Sequence, residues 1–100
     1  MEISNKTEEV LTPFIQLAHI LRNGDAYSLD KALAFCNGLI MKYLAIFQDK
    51  KTLTELLASI NQAYQRRDHV GLADIYEYEM TAYLKAEIEN FAKTDGTNND

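Results

Sequence analysis

Apolar residues recur along most of this chain at the three- and four-residue spacing that amphipathic α-helices require. When the sequence is laid over itself at an offset of 43 residues, one order appears twice: an apolar-periodic helix, a short polar break ending in Asp, and a longer amphipathic helix. Asp25 and Leu29 fall on Asp68 and Leu72. This pattern predicts an all-α fold, an up-down four-helix bundle built from two α-hairpins.

Helix 1 is bounded by Pro13 and by a glycine. We predict that Thr12 is its N-cap, that Pro13 occupies the first helical position, and that the helix ends near Arg22. The alternative keeps residues 10–11 helical, with a kink at Pro13. Gly24 supplies the left-handed residue that ends the helix.

Helix 2 is predicted to run from a cap at Asp25 or Ser28 to about Gln48. Cys36 lies near the centre of its apolar stripe, so we expect a buried and unreactive thiol. Gly38 lies on the flank of the stripe. A missing side chain there either lets another helix approach closely or only costs stability.

Helix 3 is predicted to begin with a capping box at residues 52–55 and to end near Arg67. Its inward stripe is predicted to contain Leu53, Leu56, Leu57, Ile60 and Tyr64. Helix 4 is predicted to run from an N-cap at Asp68 to about Ala92. Because the connections are too short for crossovers, we expect the two longest helices, 2 and 4, to lie side by side.

Length and composition describe one domain, with 47% hydrophobic residues in a chain of 100. We predict a helical domain over residues 1–93 and a disordered polar tail at 94–100. No apolar run approaches the length of a membrane span, and the N-terminus carries acids where a signal peptide has bases. The cytoplasm is therefore the expected location.

The net charge of −5 is distributed unevenly. Residues 68–100 hold eight acids and two bases, whereas residues 1–67 hold seven acids and eight bases. Surfaces that bind phosphate backbones need clustered Lys and Arg, so we do not expect nucleic acid as a partner.

Residue types that carry catalysis or bind metals are scarce. The chain has no Glu-x-x-His pair, no glycine-rich phosphate loop and no nucleophile elbow. His19 and His69 have no Cys or His at ligand spacing, so we interpret both as surface or boundary residues. We therefore predict a protein that is not an enzyme and holds no metal or cofactor.

Glu79 is an acidic residue that the helical projection places on an apolar face. At 100° per residue it falls between Tyr76 and Tyr83. A carboxylate there would need a partner such as a Tyr hydroxyl or Arg22, or would face a binding partner, or would form a ligand or proton site. Tyr78 projects to the polar face and is the best candidate for exposure among the tyrosines.

The acidic helix 4 is the predicted interaction surface, because its charge can steer a basic or amphipathic segment and its apolar side chains can hold it. The residues predicted to bind a protein partner are Asp74, Tyr76, Tyr78, Glu79 and Tyr83.

Two resemblances fall on helix 4. Residues 67–80 read RDHVGLADIYEYEM and resemble the final helix of a group of small uncharacterised helical proteins from Gram-positive bacteria. That resemblance implies a helical fold and no particular activity. Residues 74–78, DIYEY, are more weakly similar to the Leu-Tyr-x-Tyr segment of the FliS-like flagellar export chaperones, which are also small helical bundles.

Three functions follow as hypotheses. The first is a non-catalytic bacterial helical bundle that binds a protein partner or itself. The second is an export-chaperone-like protein that binds an amphipathic segment. The third is a bundle that binds a small ligand or a metal at Glu79.

Overall fold

The computed structural model describes the backbone of residues 2–99 and the side chains of residues 7–25 and 27–93. Over this part of the chain the fold is an all-α four-helix bundle with no β-strand. The helices are α1 (Glu2–Asn23), α2 (Ala26–Tyr43), α3 (Lys50–Gln65) and α4, which comprises an α-helical segment (His69–Asp74), a π-helical segment (Ile75–Met80) and a second α-helical segment (Thr81–Asn99). The backbone of α4 continues as helix through residues 94–99, so the predicted end of helix 4 near Ala92 is wrong, while the disorder predicted for residues 94–100 stays a prediction.

The two predicted hairpins are present, but the helix that lies beside α4 is α1, where helix 2 was predicted. α1 packs against α2 and against all three segments of α4, while α3 packs against the first two segments of α4. The prediction that helices 2 and 4 are the long pair lying side by side is therefore wrong. α2 has 18 residues and α1 has 22. Because α1 is almost fully buried along Phe14, Leu17 and Ala18, it forms the centre of the bundle.

Pro13 lies inside α1, which begins at Glu2, so the predicted N-cap at Thr12 is wrong and the alternative with residues 10–11 helical is confirmed. Val10 is buried one turn before the proline, so helix through this region adds a turn of apolar contact to the core. That burial offsets the backbone hydrogen bond that Pro13 cannot make. The Pro13 carbonyl oxygen accepts a hydrogen bond from the Cys36 thiol at 3.5 Å.

The repeat at an offset of 43 residues extends to backbone geometry. Gly24 and Arg67 both adopt positive φ, at 71° and 58°. After each, an Asp N-caps the next helix: Asp25 accepts from the amide of Ser28, and Asp68 accepts from the amide of Gly71. Each turn also has a six-to-one backbone hydrogen bond, which is the Schellman motif at a helix C-terminus. Both hairpins therefore turn in the same way.

Arg67 stands where its repeat mate is glycine, and a non-glycine residue in this conformation is strained. We expect Arg67→Gly to raise the free energy of unfolding by about 1 kcal/mol. The matched control is Gly24→Ala, which should lower it by a similar amount, because no atom lies near its Cβ and only φ matters. Urea melts of both variants measure these changes in the free energy of unfolding. A lower free energy of unfolding for Arg67→Gly would contradict the inference that Arg67 is strained.

The connection between α2 and α3 differs from its prediction at both ends. α2 ends at Tyr43, not near Gln48, and continues as a 3₁₀ turn, Leu44–Ile46, which leads to extended backbone at Phe47. This change of direction places the Phe47 ring in the core, edge-on to Tyr83 at 5.4 Å. The N-cap of α3 is Asp49, and it accepts from the amide and the hydroxyl of Thr52.

The predicted capping box at 52–55 is therefore wrong. The Thr52 hydroxyl is a donor to Asp49 and not the cap itself. Together with the Thr52 amide, this hydroxyl holds the pKa of the Asp49 carboxyl below its ordinary value. At the turn between α3 and α4, the predicted N-cap of α4 at Asp68 is confirmed.

The π-helical segment of α4 follows from the spacing of its core residues. Five buried side chains recur at intervals of four: Leu72, Tyr76, Met80, Leu84 and Ile88. In a straight α-helix each such step rotates the row by about 40°, so the fifth residue would leave the face of the first. The wider π turn contains one extra residue, which reduces the accumulated rotation of the row by about 100°, the rotation of a single residue. The row therefore stays on the core.

Candidate partner-binding site

Glu79 lies on the solvent side of the π-helical segment and is exposed. The prediction that it sits among the apolar residues of helix 4 is wrong, because the projection assumed 100° per residue through a segment that winds more slowly. Glu79 therefore has no desolvated charge to neutralise, and its predicted partner Arg22 pairs elsewhere.

Arg22 joins the N-terminal hairpin to α4. Its guanidinium donates to Asp74 at 2.7 Å and to Glu77, and lies 5.9 Å from the centre of the Tyr78 ring. The carboxylate of Glu77, and next that of Asp74, raises the pKa of Arg22 above its ordinary value. Asp74 of the predicted set is thus already paired within the chain, together with Glu77, and the two carboxylates share one guanidinium.

The predicted partner-binding residues divide into two groups. Asp74, Tyr78 and Glu79 are exposed, as was predicted for Tyr78. Tyr76 and Tyr83 are buried, and burial raises the pKa of each phenol to about 12. The two buried rings support the core next to Phe14 and Phe47 respectively, so a partner cannot contact most of their surface.

Glu87 is the buried carboxylate among the described side chains, with 5% of its surface exposed. It accepts hydrogen bonds from the amides of Gln48 at 2.6 Å and Asp49 at 3.2 Å. These amides precede α3, where the partial positive charge of a helix N-terminus favours an anion. The Tyr83 hydroxyl donates to the Asp49 carbonyl oxygen at 2.9 Å. α4 therefore holds the α2–α3 connection by two side chains.

A groove separates α2 from α3, which are not close neighbours over the described residues. Its volume is about 310 Å³. It is lined by Leu33, Asn37, Leu57, Ile60, Asn61, Tyr64, Leu72 and Tyr76. Leu57 and Tyr64, predicted to face the core, are 41% and 58% exposed along one wall.

The groove is lined by apolar and amide side chains, and none of the described residues that line it is charged. Leucine, isoleucine and the two tyrosine rings supply the walls and the floor. Asn37 stands on the α2 wall and Asn61 on the α3 wall, and each amide can both donate and accept hydrogen bonds. Such a surface suits an apolar segment with polar edges and gives no means of selecting a charge. From the predicted set, Tyr76 alone lines the groove.

Cys36 is buried, as predicted, beneath the outer surface of α2. Burial raises the pKa of its thiol to about 12, so the reactive thiolate is scarce at neutral pH. That the thiol is unreactive stays a prediction.

Within the described residues, no three or more His, Cys, Asp or Glu side chains lie close enough together to hold a metal ion. In the same part of the chain, no helix combines the length and the apolar character needed to cross a bilayer.

Comparison of this chain with protein-family models, with curated proteins and with solved structures finds no match, so neither predicted resemblance is tested.

Proposed function

We propose that this protein is a non-catalytic bundle that binds an apolar helical segment of a protein partner in the groove between α2 and α3. The observation that carries the proposal is the exposure of Leu57 and Tyr64 above a floor of core residues. Covering these side chains would remove apolar surface from water, which is the main driving force of helix-in-groove recognition.

The occupant follows from the lining. Because no charged side chain lines the groove, the buried face of the segment carries no charge either, since an unpaired charge there would be costly. Apolar residues of the segment at i, i+3 or i+4, and i+7 would meet the two walls, and the asparagines would bind its polar edges. The export-chaperone hypothesis uses the same groove with an amphipathic export segment as occupant.

Selection of helical peptides from a random library against the immobilised protein tests the proposal. We expect the selected peptides to share an uncharged apolar face at helical spacing. Leu57→Asp should weaken their binding by at least tenfold, about 1.4 kcal/mol, because it puts a charge in the wall. The matched control is Phe91→Asp, a similar change of an exposed apolar residue at the far end of α4.

Two outcomes would overturn the proposal. One is a selection that yields no common apolar face. The other is a set of peptides whose binding is equally sensitive to Phe91→Asp and Leu57→Asp, because these peptides would then recognise a surface other than the groove.

A further inference from the structure

The outward surface of α2 is apolar and separate from the groove. Tyr27, Phe35 and Met41 are 91%, 59% and 69% exposed, although aromatic and thioether side chains are usually covered. Five exposed residues follow one another at alternating intervals of four and three, the spacing of a coiled-coil seam. This outer row is Tyr27, Lys31, Ala34, Gly38 and Met41.

Gly38 lies in the middle of the outer row, and no contact with the described residues requires a glycine there. A Cβ built at Gly38 would meet no atom within 4 Å, and the residue has ordinary helical backbone. A glycine within a helix costs about 1 kcal/mol relative to alanine. Beside Ala34, it leaves a shallow hollow between two large exposed side chains, where the backbone of another helix can approach closely.

Charge identifies the occupant and its direction. Asp30 lies beside the outer row on one side. Lys31, within the row, and Lys42, next to it, lie towards the opposite side. If α2 met the same helix of a second copy in parallel about a two-fold axis, each Asp30 would lie near the Lys31 of the other copy. The two Lys31 side chains would also lie opposite each other, but the two Asp30 carboxylates beside them offset their like charges. An antiparallel pair would join like sides and bring Lys31 of one copy towards Lys42 of the other, which is unfavourable.

We propose that this protein forms a two-fold dimer in which the outer rows of the two α2 helices pack in parallel, crossing closely at Gly38. The contact is isologous and uses no residue of the groove lining. It would cover large exposed apolar side chains of α2 and leave the groove of each copy open.

Disulfide trapping tests the orientation. In the parallel dimer, a cysteine at Ala34 lies opposite its own mate, and so does one at Met41, so Ala34→Cys and Met41→Cys should each give a covalent dimer under mild oxidation. In an antiparallel pair that crosses near Gly38, Ala34 of one copy lies near Met41 of the other, so only the double variant would do so. Ala58→Cys, exposed on α3, measures random collision, and the native Cys36 is buried.

Sedimentation equilibrium tests the association itself. We expect the wild-type protein to dimerise and Gly38→Glu to be monomeric, while helix content is retained, because the new side chain meets nothing within its own chain. Ala58→Glu is the control and should remain dimeric. Lys31→Asp should weaken the dimer about tenfold, and adding Asp30→Lys should restore it, because the exchanged pair has the same complementarity.

Three results would overturn the dimer: a wild-type monomer at all concentrations, a dimer indifferent to Gly38→Glu, or trapping only in the double cysteine variant. None of them bears on the groove. The groove is tested by Leu57→Asp, which should leave the dimer intact.

Discussion

Replacing Glu87 by alanine is expected to lower the free energy of unfolding by about 2–3 kcal/mol, the range for removing a charged, buried hydrogen-bond acceptor. The loss has two parts. The amides of Gln48 and Asp49 lose their acceptor, and the segment that carries them is no longer tied to α4. Glu87→Gln should cost less, about 1–2 kcal/mol, because one of its two terminal atoms still accepts a hydrogen bond.

The matched control for Glu87 is Glu79, eight residues earlier on the same helix and exposed. Glu79→Ala and Glu79→Gln should each change the free energy of unfolding by less than about 0.5 kcal/mol. Denaturant melts of the four variants beside wild type measure both positions. Equal losses at the two positions would contradict the assignment of Glu87 as the buried acid.

Deleting one residue of α4 should have opposite outcomes inside and outside the π-helical segment. Deleting Glu79 is expected to leave a cooperative fold, with a loss below about 2 kcal/mol, because the wide turn can contract to an ordinary α-helical turn without rotating the core row that follows. Deleting Lys85, also exposed, rotates Glu87 and Ile88 away from the core. That loss should exceed about 5 kcal/mol, which is comparable with the whole stability of a small domain.

Circular dichroism and urea melts of the two deletion variants separate these cases. If both deletions unfolded the protein, the π segment would be a fixed part of the fold and not a tolerated extra residue. If both were tolerated, the register of α4 would not matter to the core.

Much of the fold could be predicted from local signals. The caps at Asp25 and Asp68 follow from short polar side chains before apolar helices, and Gly24 follows from its freedom at positive φ. Signals of this kind depend on residues a few positions away. These signals therefore predict the local structure correctly, whatever the distant packing is.

Other features depend on tertiary contacts and were predicted wrongly. A proline within the first helix is tolerated because of the core it reaches, and α2 stops early because Phe47 and two amides meet α4. The exchange of Glu79 for Glu87 as the buried acid has a visible signal in hindsight: a core row spaced by four throughout cannot follow an unbroken α-helix. The groove has no such signal, because Leu57 and Tyr64 continue the apolar stripe of α3 beyond the part that α4 covers.

The two side chains that tie the α2–α3 connection to α4 also set the shape of the groove. α2 ends and α3 begins at the segment around Phe47 and Asp49, and that segment is fixed by Glu87 and Tyr83. Because the end of α2 and the start of α3 are both held on α4, the two walls cannot move together to cover their own apolar residues. The groove is therefore preorganised, and a bound segment would not need to open it. In Glu87→Gln, affinity for a groove ligand should fall together with stability, although the side chain lies outside the groove lining.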